Sequence, residues 1–246
     1  MIVLIMAGGL GKRMESSLPK VLHKIGNYSM IIHVIKTAFL LNPDKIYIIV
    51  GKYKDIIDET IFKYLSENEY LKIDYIIQEE PLGTGHAIFC SLNIISNHIQ
   101  DKCIILSGDV PLISYETLKN LIDKNKDKML ITKLENPTAC GRIIFNDDKT
   151  FIKQIIEEKE CSEEEKQIKY INCGIYQISV INLLKYIPLI TNNNNTKEYY
   201  LTDIVDLMNY DNNNIGYYEL SQNKQYEIKN VNTKIDLINL NNEIKV

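Results

Sequence analysis

The 246-residue chain has no tryptophan, only four histidines and six prolines, and five cysteines, none of them in a C-x-x-C pair. An odd, scattered set of thiols (Cys90, Cys103, Cys140, Cys161, Cys173) is neither a disulfide framework nor a zinc signature. No apolar run approaches the roughly 18 residues a membrane helix needs. The opening MIVLIMAGG has no basic residue ahead of its short apolar run, so it does not read as a secretion signal. Lys and Arg number 28 against 32 Asp and Glu, for a net charge of −4. That leaves no basic excess for nucleic acid or anionic lipid. The expectation is a reduced, cytoplasmic protein with no nucleic-acid and no membrane partner. An anionic substrate would have to be met by a few placed cations.

What is present is an alternation of short apolar runs and longer amphipathic segments. Ile2–Met6, Ile46–Val50, Ile73–Ile77 and Cys103–Leu106 are β-branched and unalternating, as strands buried on both faces should be. Between them Ile31, Val34, Ile35, Ala38 and Leu41 recur at helical spacing, as do Ile56, Ile57, Ile61, Tyr64 and Leu65. Ala87 to Ile95 and Leu118 to Ile122 continue the series, with Ser114 placed to cap the latter. After Lys133, Arg142–Phe145, Phe151–Ile156 and Tyr170–Ile178 read as strands, and Ile181–Ile187 and Tyr200–Met208 as helices. Asn192–Asn195 and Asn212–Asn214 read as surface turns. The pattern implies an α/β fold: a Rossmann-like, doubly wound, mixed but mainly parallel sheet, in one domain over 1–246.

The first strand runs into Ala7-Gly8-Gly9-Leu10-Gly11-Lys12-Arg13-Met14, and Pro19-Lys20 follow. Glycines at a strand's carboxyl end let main-chain N–H groups approach phosphate oxygens, and Lys12, Arg13 and Lys20 can neutralise a polyphosphate. The turn is not a Walker A loop, because Met6 stands where its first Gly belongs and Arg13 replaces Ser/Thr. Nor is it the dinucleotide fingerprint, since Met14 occupies the third Gly position.

The pattern A-G-G-x-G-x-R followed by P-K resembles the sugar-1-phosphate nucleotidyltransferase superfamily, most closely the uridyltransferase half of bacterial N-acetylglucosamine-1-phosphate uridyltransferases. The likeness runs through Leu18 to His23, Gln78 with Leu82 to Ala87, and Gly108-Asp109-Val110-Pro111-Leu112. It continues through Gly141-Arg142, Ile156-Glu157, Ile171-Asn172, Glu198 to Asp203 and Val231-Asn232. It implies nucleotide contacts from Met6, Ala7, Gly8, Gly9, Gly11, Lys20, Gln78, Gly83, Thr84, Ser107 and Gly108. It also implies sugar contacts from Gly141, Glu157, Asn172 and Asn232, magnesium on Asp109 and Asn232, and catalytic charge from Arg13 and Lys20. The N–H groups of Gly83-Thr84-Gly85 are expected to face an anion or base. Glu157 opens the run Glu157-Glu158-Lys159-Glu160, which taken alone reads as a solvated face.

The implied reaction joins UTP and N-acetylglucosamine 1-phosphate, with Mg²⁺ as cofactor, to give UDP-N-acetylglucosamine and pyrophosphate. The competing readings are another sugar 1-phosphate, such as glucose 1-phosphate, or an inactive sugar-nucleotide binding module. Lys12, Ser107, Ala139, Cys140, Cys173 and Asn230 depart from the family pattern, most of them on the sugar side or in the late metal loop. No hexapeptide repeat of a left-handed β-helix follows Asn232, so no acetyl-CoA dependence is expected.

Overall fold

A computed structural model describes residues 1–244, with only the main chain defined at Lys12 and Ile244. In chain order the first elements are β1 (Ile2–Met6), β2 (Lys24–Ile25), β3 (Tyr28–Ser29), α1 (Met30–Phe39), β4 (Lys45–Val50), α2 (Lys54–Phe62), α3 (Glu67–Tyr70) and β5 (Ile73–Ile77). Then come α4 (Thr84–Phe89), α5 (Leu92–Ile95), β6 (Lys102–Ser107), α6 (Tyr115–Leu121), β7 (Lys128–Lys133), β8 (Arg142–Phe145), β9 (Ile152–Ile156) and β10 (Tyr170–Ser179). The series closes with α7 (Val180–Tyr186), α8 (Ile204–Tyr210), β11 (Gly216–Glu219) and α9 (Lys234–Ile244). No helix among the described residues is long and apolar enough to cross a membrane.

The chain divides into two compact units. The first comprises residues 1–81, 106–119 and 226–246, and the second 82–105 and 120–225. In the first unit β1, β4 and β5 pair in parallel, with Met6 beside Ile49 and Val50 beside Ile77. Ile2, Val3, Leu4 and Ile5 are wholly buried, which is why their run shows no polar alternation. α1 turns Met30, Ile31, Val34, Ile35 and Ala38 inward, and it stops where Asn42 takes a positive φ ahead of Pro43.

β5 departs from its expectation. It pairs only with β4 among the described residues, and Asp74 and Ile77 are exposed, so it is an edge strand rather than one covered on both faces. The segment of 106–119 is fixed to this unit by the Gly108 N–H, which donates to the Met6 carbonyl at 2.9 Å. The last segment is held by Val231 and Leu240, buried with Met14, Ile25 and Met30. Each such side chain contributes about 1.5–3 kcal/mol on burial.

The second unit is mixed. β10 runs antiparallel to β6, β7 and β8, β8 pairs with β9, and β11 lies parallel to β7. Asp127 joins its elements: the carboxylate accepts from Lys102, from the Ser179 N–H and hydroxyl, and from Asn182. All four lone-pair positions are used, as burial of a charge requires. The expected helix over 87–95 is broken into α4 and α5. The expected strands over 142–145, 151–156 and 170–178 are present as β8, β9 and β10.

Gly83 shows why this unit needs glycine before α4. Its φ of 120° and ψ of 174° belong to a region that only glycine occupies readily, and a Cβ there would lie 2.4 Å from the Tyr199 carbonyl oxygen. Gly83→Ala should therefore cost at least about 2 kcal/mol of stability, read as a lower urea midpoint with an unchanged m-value.

Candidate active site

In the first unit three strand ends meet at Gly8, Gly51 and Gln78. Ala7 donates to Ile49 and Gln78 to Val50, both at 2.8 Å. Gly8 has to be small, since a Cβ there would sit 3.0 Å from the Gln78 side-chain oxygen. Beyond it the chain opens. Among the described residues the main-chain N–H groups of Gly8, Gly9, Leu10 and Gly11 have no hydrogen-bond partner, and Gly9 is exposed. A run of unpaired N–H groups at strand ends is a cradle for phosphate oxygens. Gly11 takes φ +60°, and Lys20 passes so close that a Cβ on Gly11 would lie 2.8 Å from the Lys20 Cβ.

Lys20 is where distant segments converge. Its ammonium donates to Asp109 Oδ2 and, at 3.1 Å, to Asn232 Oδ1. The side chains of Lys20 and Asp109 are only 15% and 13% exposed, so this is not a solvent-screened surface pair. Asp109's other oxygen accepts from the Ser107 hydroxyl at 2.5 Å, and its main-chain carbonyl accepts from the Val231 N–H at 3.0 Å. The Ser107 hydroxyl is thus engaged with Asp109. Gly108 is likewise a packing position, its N–H bound to Met6 and a notional Cβ 3.2 Å from Ile31 and Val21.

Arg13 is exposed, and its charge acts on Asp236. The Lys12 side chain lies outside the described residues. Asp236, at the start of α9, is pushed up by burial but pulled further down by hydrogen bonds from Asn232 and Thr233 and by the charge of Arg13, so its carboxyl lies below the usual range.

Asp109 and Asn232 present two hard oxygens to a single cation position, which the Lys20 ammonium takes. That donor set fits Mg²⁺, which prefers one or two protein oxygens and completes its shell with water and phosphate. No group of three or more His, Cys, Asp or Glu with metal-holding geometry occurs among the described residues.

The second unit collects Gly141, Glu157 and Asn172. Strand pairing sets Arg142 opposite both Ile156 and Ile171, which brings the three together. The Asn172 N–H donates to the Gly141 carbonyl at 2.9 Å. Gly141 faces Ile155, and a Cβ there would meet the isoleucine methyl at 2.9 Å. Asn172 is partly committed: its amide donates to Tyr176 Oη at 2.7 Å and accepts from the Gly174 N–H at 2.8 Å, within the bulge of β10.

Glu157 is not on a solvated face. It is half-buried, accepts from the Thr202 hydroxyl at 2.9 Å, and its pKa is raised chiefly by burial. A cavity of about 190 Å³ beside it is lined by Glu160, Asp203, Asp206, Tyr200 and Asn194, the last of these from the Asn-rich segment 192–195, which forms a turn as expected. Gly83 and Thr84 face a chain segment. Gly85 donates to the Tyr199 carbonyl at 2.7 Å and the Thr84 hydroxyl accepts from Leu201 at 3.0 Å, which corrects the expectation that the Gly85 N–H faces a ligand.

Residues 2–225 match the nucleotidyl transferase family model. The chain belongs to the nucleotidyl transferase family. It is 46% identical over 241 residues to the "Probable UDP-N-acetylglucosamine pyrophosphorylase" of Acanthamoeba polyphaga mimivirus, covering 96% of this chain and 92% of that protein. It is 43% identical to the bifunctional protein GlmU of Thermosipho melanesiensis; the match covers 100% of this chain but 51% of that protein, so the chain spans about half the bifunctional relative. Among solved structures, UDP-glucose pyrophosphorylase complexed with UDP-glucose superposes with a TM-score of 0.77 at 16% identity, over 99% of this chain and 98% of that one. That likeness concerns the fold, and with it the Rossmann-like expectation holds.

Asp203 provides a pH test of the second unit. Burial first, then the charges of Asp206, Glu157 and Glu160, push its pKa from 3.8 up to about 6. A carboxyl raised on folding favours the folded state below its unfolded value, and that contribution is lost as pH rises through its folded value. Asp203→Asn should therefore raise Tm by a few degrees at pH 7.5, and the gain should vanish below about pH 4, as measured by thermal melts across pH.

Proposed function

We propose that the protein transfers a uridylyl group from UTP to N-acetylglucosamine 1-phosphate. The observation that carries this is the convergence of Lys20, Asp109 and Asn232 beside the open N–H turn of Gly8 to Gly11. A phosphate oxygen of the sugar 1-phosphate attacks the α-phosphorus of UTP. A new phosphorus–oxygen bond forms, the bond to the bridging oxygen of the β-phosphate breaks, and pyrophosphate leaves with that electron pair. The nucleophile is already anionic, so the chain needs no strong base, and positioning and charge neutralisation carry the rate. The Gly8–Gly11 N–H groups would cradle the triphosphate, and Arg13 and Lys20 would offset charge that builds on the phosphoryl oxygens. Asp109 and Asn232 would hold Mg²⁺, which when bound supplies further neutralisation and a template for the phosphate oxygens.

Gln78, closing β5 next to Gly8, carries both the donor and the acceptor that the imide edge of uracil requires. Gly141, Glu157 and Asn172 suit a sugar. Glu157 is an acceptor for hydroxyl donors, and its half-buried, carboxylate-rich surroundings disfavour a second polyanion. The 46% identity to a protein named for UDP-N-acetylglucosamine supports that sugar over glucose.

Pyrophosphate release across a matrix of nucleoside triphosphates and sugar 1-phosphates should be greatest for UTP with N-acetylglucosamine 1-phosphate. Greater turnover with glucose 1-phosphate would reassign the sugar, and UDP-sugar binding without turnover at any Mg²⁺ level would mark a binding module. Asp109→Ala should lower the rate by about 10²–10³-fold with a native circular-dichroism spectrum; near-normal turnover would overturn the metal assignment.

A further inference from the structure

Asn232 lies in the loop ahead of α9, yet its side-chain oxygen meets Lys20 at 3.1 Å. A loop amide holds such a position only if its main chain is fixed. Two anchors are ordinary. The Val231 N–H donates to the Asp109 carbonyl at 3.0 Å, and the Val231 side chain is buried against Met14, Ile25 and Met30. The third is Asp236. Its N–H donates to Thr233 Oγ1 at 3.1 Å and its Oδ2 accepts from the Thr233 N–H at 2.8 Å, a reciprocal helix cap.

The cap is complete with those two bonds. The same Oδ2 also accepts, at 3.0 Å, from the N–H of Asn232, one residue outside the box. This third bond adds nothing to α9, and it falls on the residue whose side chain faces Lys20 and Asp109.

We propose that Asp236 is a positioning residue for the reaction: by pinning the main chain at Asn232 it aims the Asn232 side-chain oxygen at the divalent cation, while touching neither metal nor substrate. This rests on the reading of Asp109 and Asn232 as the cation's ligands. Residues that orient a metal ligand typically change metal affinity by about 10–100-fold when removed. An aspartate serving only as a helix cap would lower Tm and leave cation affinity alone.

The test measures Mn²⁺ binding to the nucleotide-free protein by electron paramagnetic resonance, together with the Mg²⁺ concentration giving half-maximal rate. Measurements are made where each variant is folded by circular dichroism. Asp236→Ala should weaken Mn²⁺ binding about 10-fold and raise the Mg²⁺ requirement in parallel. Asp236→Asn, whose oxygen can accept the same two N–H bonds, should return Mn²⁺ affinity to near wild type. Thr233→Val, which removes the hydroxyl half of the cap, should lower Tm without moving Mn²⁺ affinity. Because Asp236 acts through Asn232, the double variant with Asn232→Ala should bind Mn²⁺ no more weakly than Asn232→Ala alone. If Asp236→Ala proves too unstable, Asp236→Ser, too short to reach both N–H groups, takes its place in the cycle. Wild-type Mn²⁺ affinity in the Asp236 variant, or additive losses in the double variant, would overturn the proposal. Failure of the underlying metal reading looks different: Asp109→Ala and Asn232→Ala would then bind Mn²⁺ as the wild type does, which would overturn both.

Discussion

A half-buried carboxylate must have a counter-charge, and the organisation of the first unit depends on how Asp109 obtains one. Left alone at 13% side-chain exposure it would be costly to keep ionised. Lys20 supplies the charge from the far end of the glycine-rich turn, Ser107 supplies a hydroxyl from two residues upstream, and Asn232 shares the same ammonium. A pair of this kind adds little net stability, because desolvation offsets most of the attraction. Its value lies in geometry. It fixes two oxygens, of Asp109 and Asn232, around one cation position, which under the proposed function a doubly charged ion would take.

The two units divide the chemistry by charge. The first gathers cations and unpaired N–H groups, which the proposed function assigns to a polyphosphate. The second gathers carboxylates and amides around a small cavity, and burial has raised Glu157 and Asp203. Acceptors of that kind suit hydroxyls and disfavour further negative charge. A net charge of −4 therefore says little about how either unit would treat an anion, since placement of a few groups outweighs the sum.

Much of this was legible in the sequence, for identifiable reasons. β1 and the turn after it were plain because a fully buried strand leaves an uninterrupted apolar run and a tight turn with close chain approaches demands glycine. Lys20, Asp109 and Asn232 were legible as family positions, but their convergence was not, since nothing local relates residues 20, 109 and 232. β5 misled because an edge strand can still be apolar. Gly85 misled because one pattern, glycine at a helix start, serves both ligand approach and close chain packing, and here its N–H is taken by the Tyr199 carbonyl. The acidic run at Glu157 misled because charge density cannot reveal that β9 carries its first member inward. The bond from the Asn232 N–H to Asp236 was not legible, because a capping box such as Thr233-x-x-Asp236 specifies two partners and no more.

The first unit is assembled from three separated stretches of chain, 1–81, 106–119 and 226–246, and its proposed metal pair draws one ligand from each of the last two. That arrangement has a consequence for synthesis on the ribosome. The glycine-rich turn and the strands around it emerge early. The loop bearing Asn232 emerges more than 200 residues later, and only then can Val231 close the cluster around Met14. Non-local closure of this kind is slow, because the loop entropy must be overcome before the contacts form. The meeting of Lys20, Asp109 and Asn232 must therefore wait until the loop bearing Asn232 has been made.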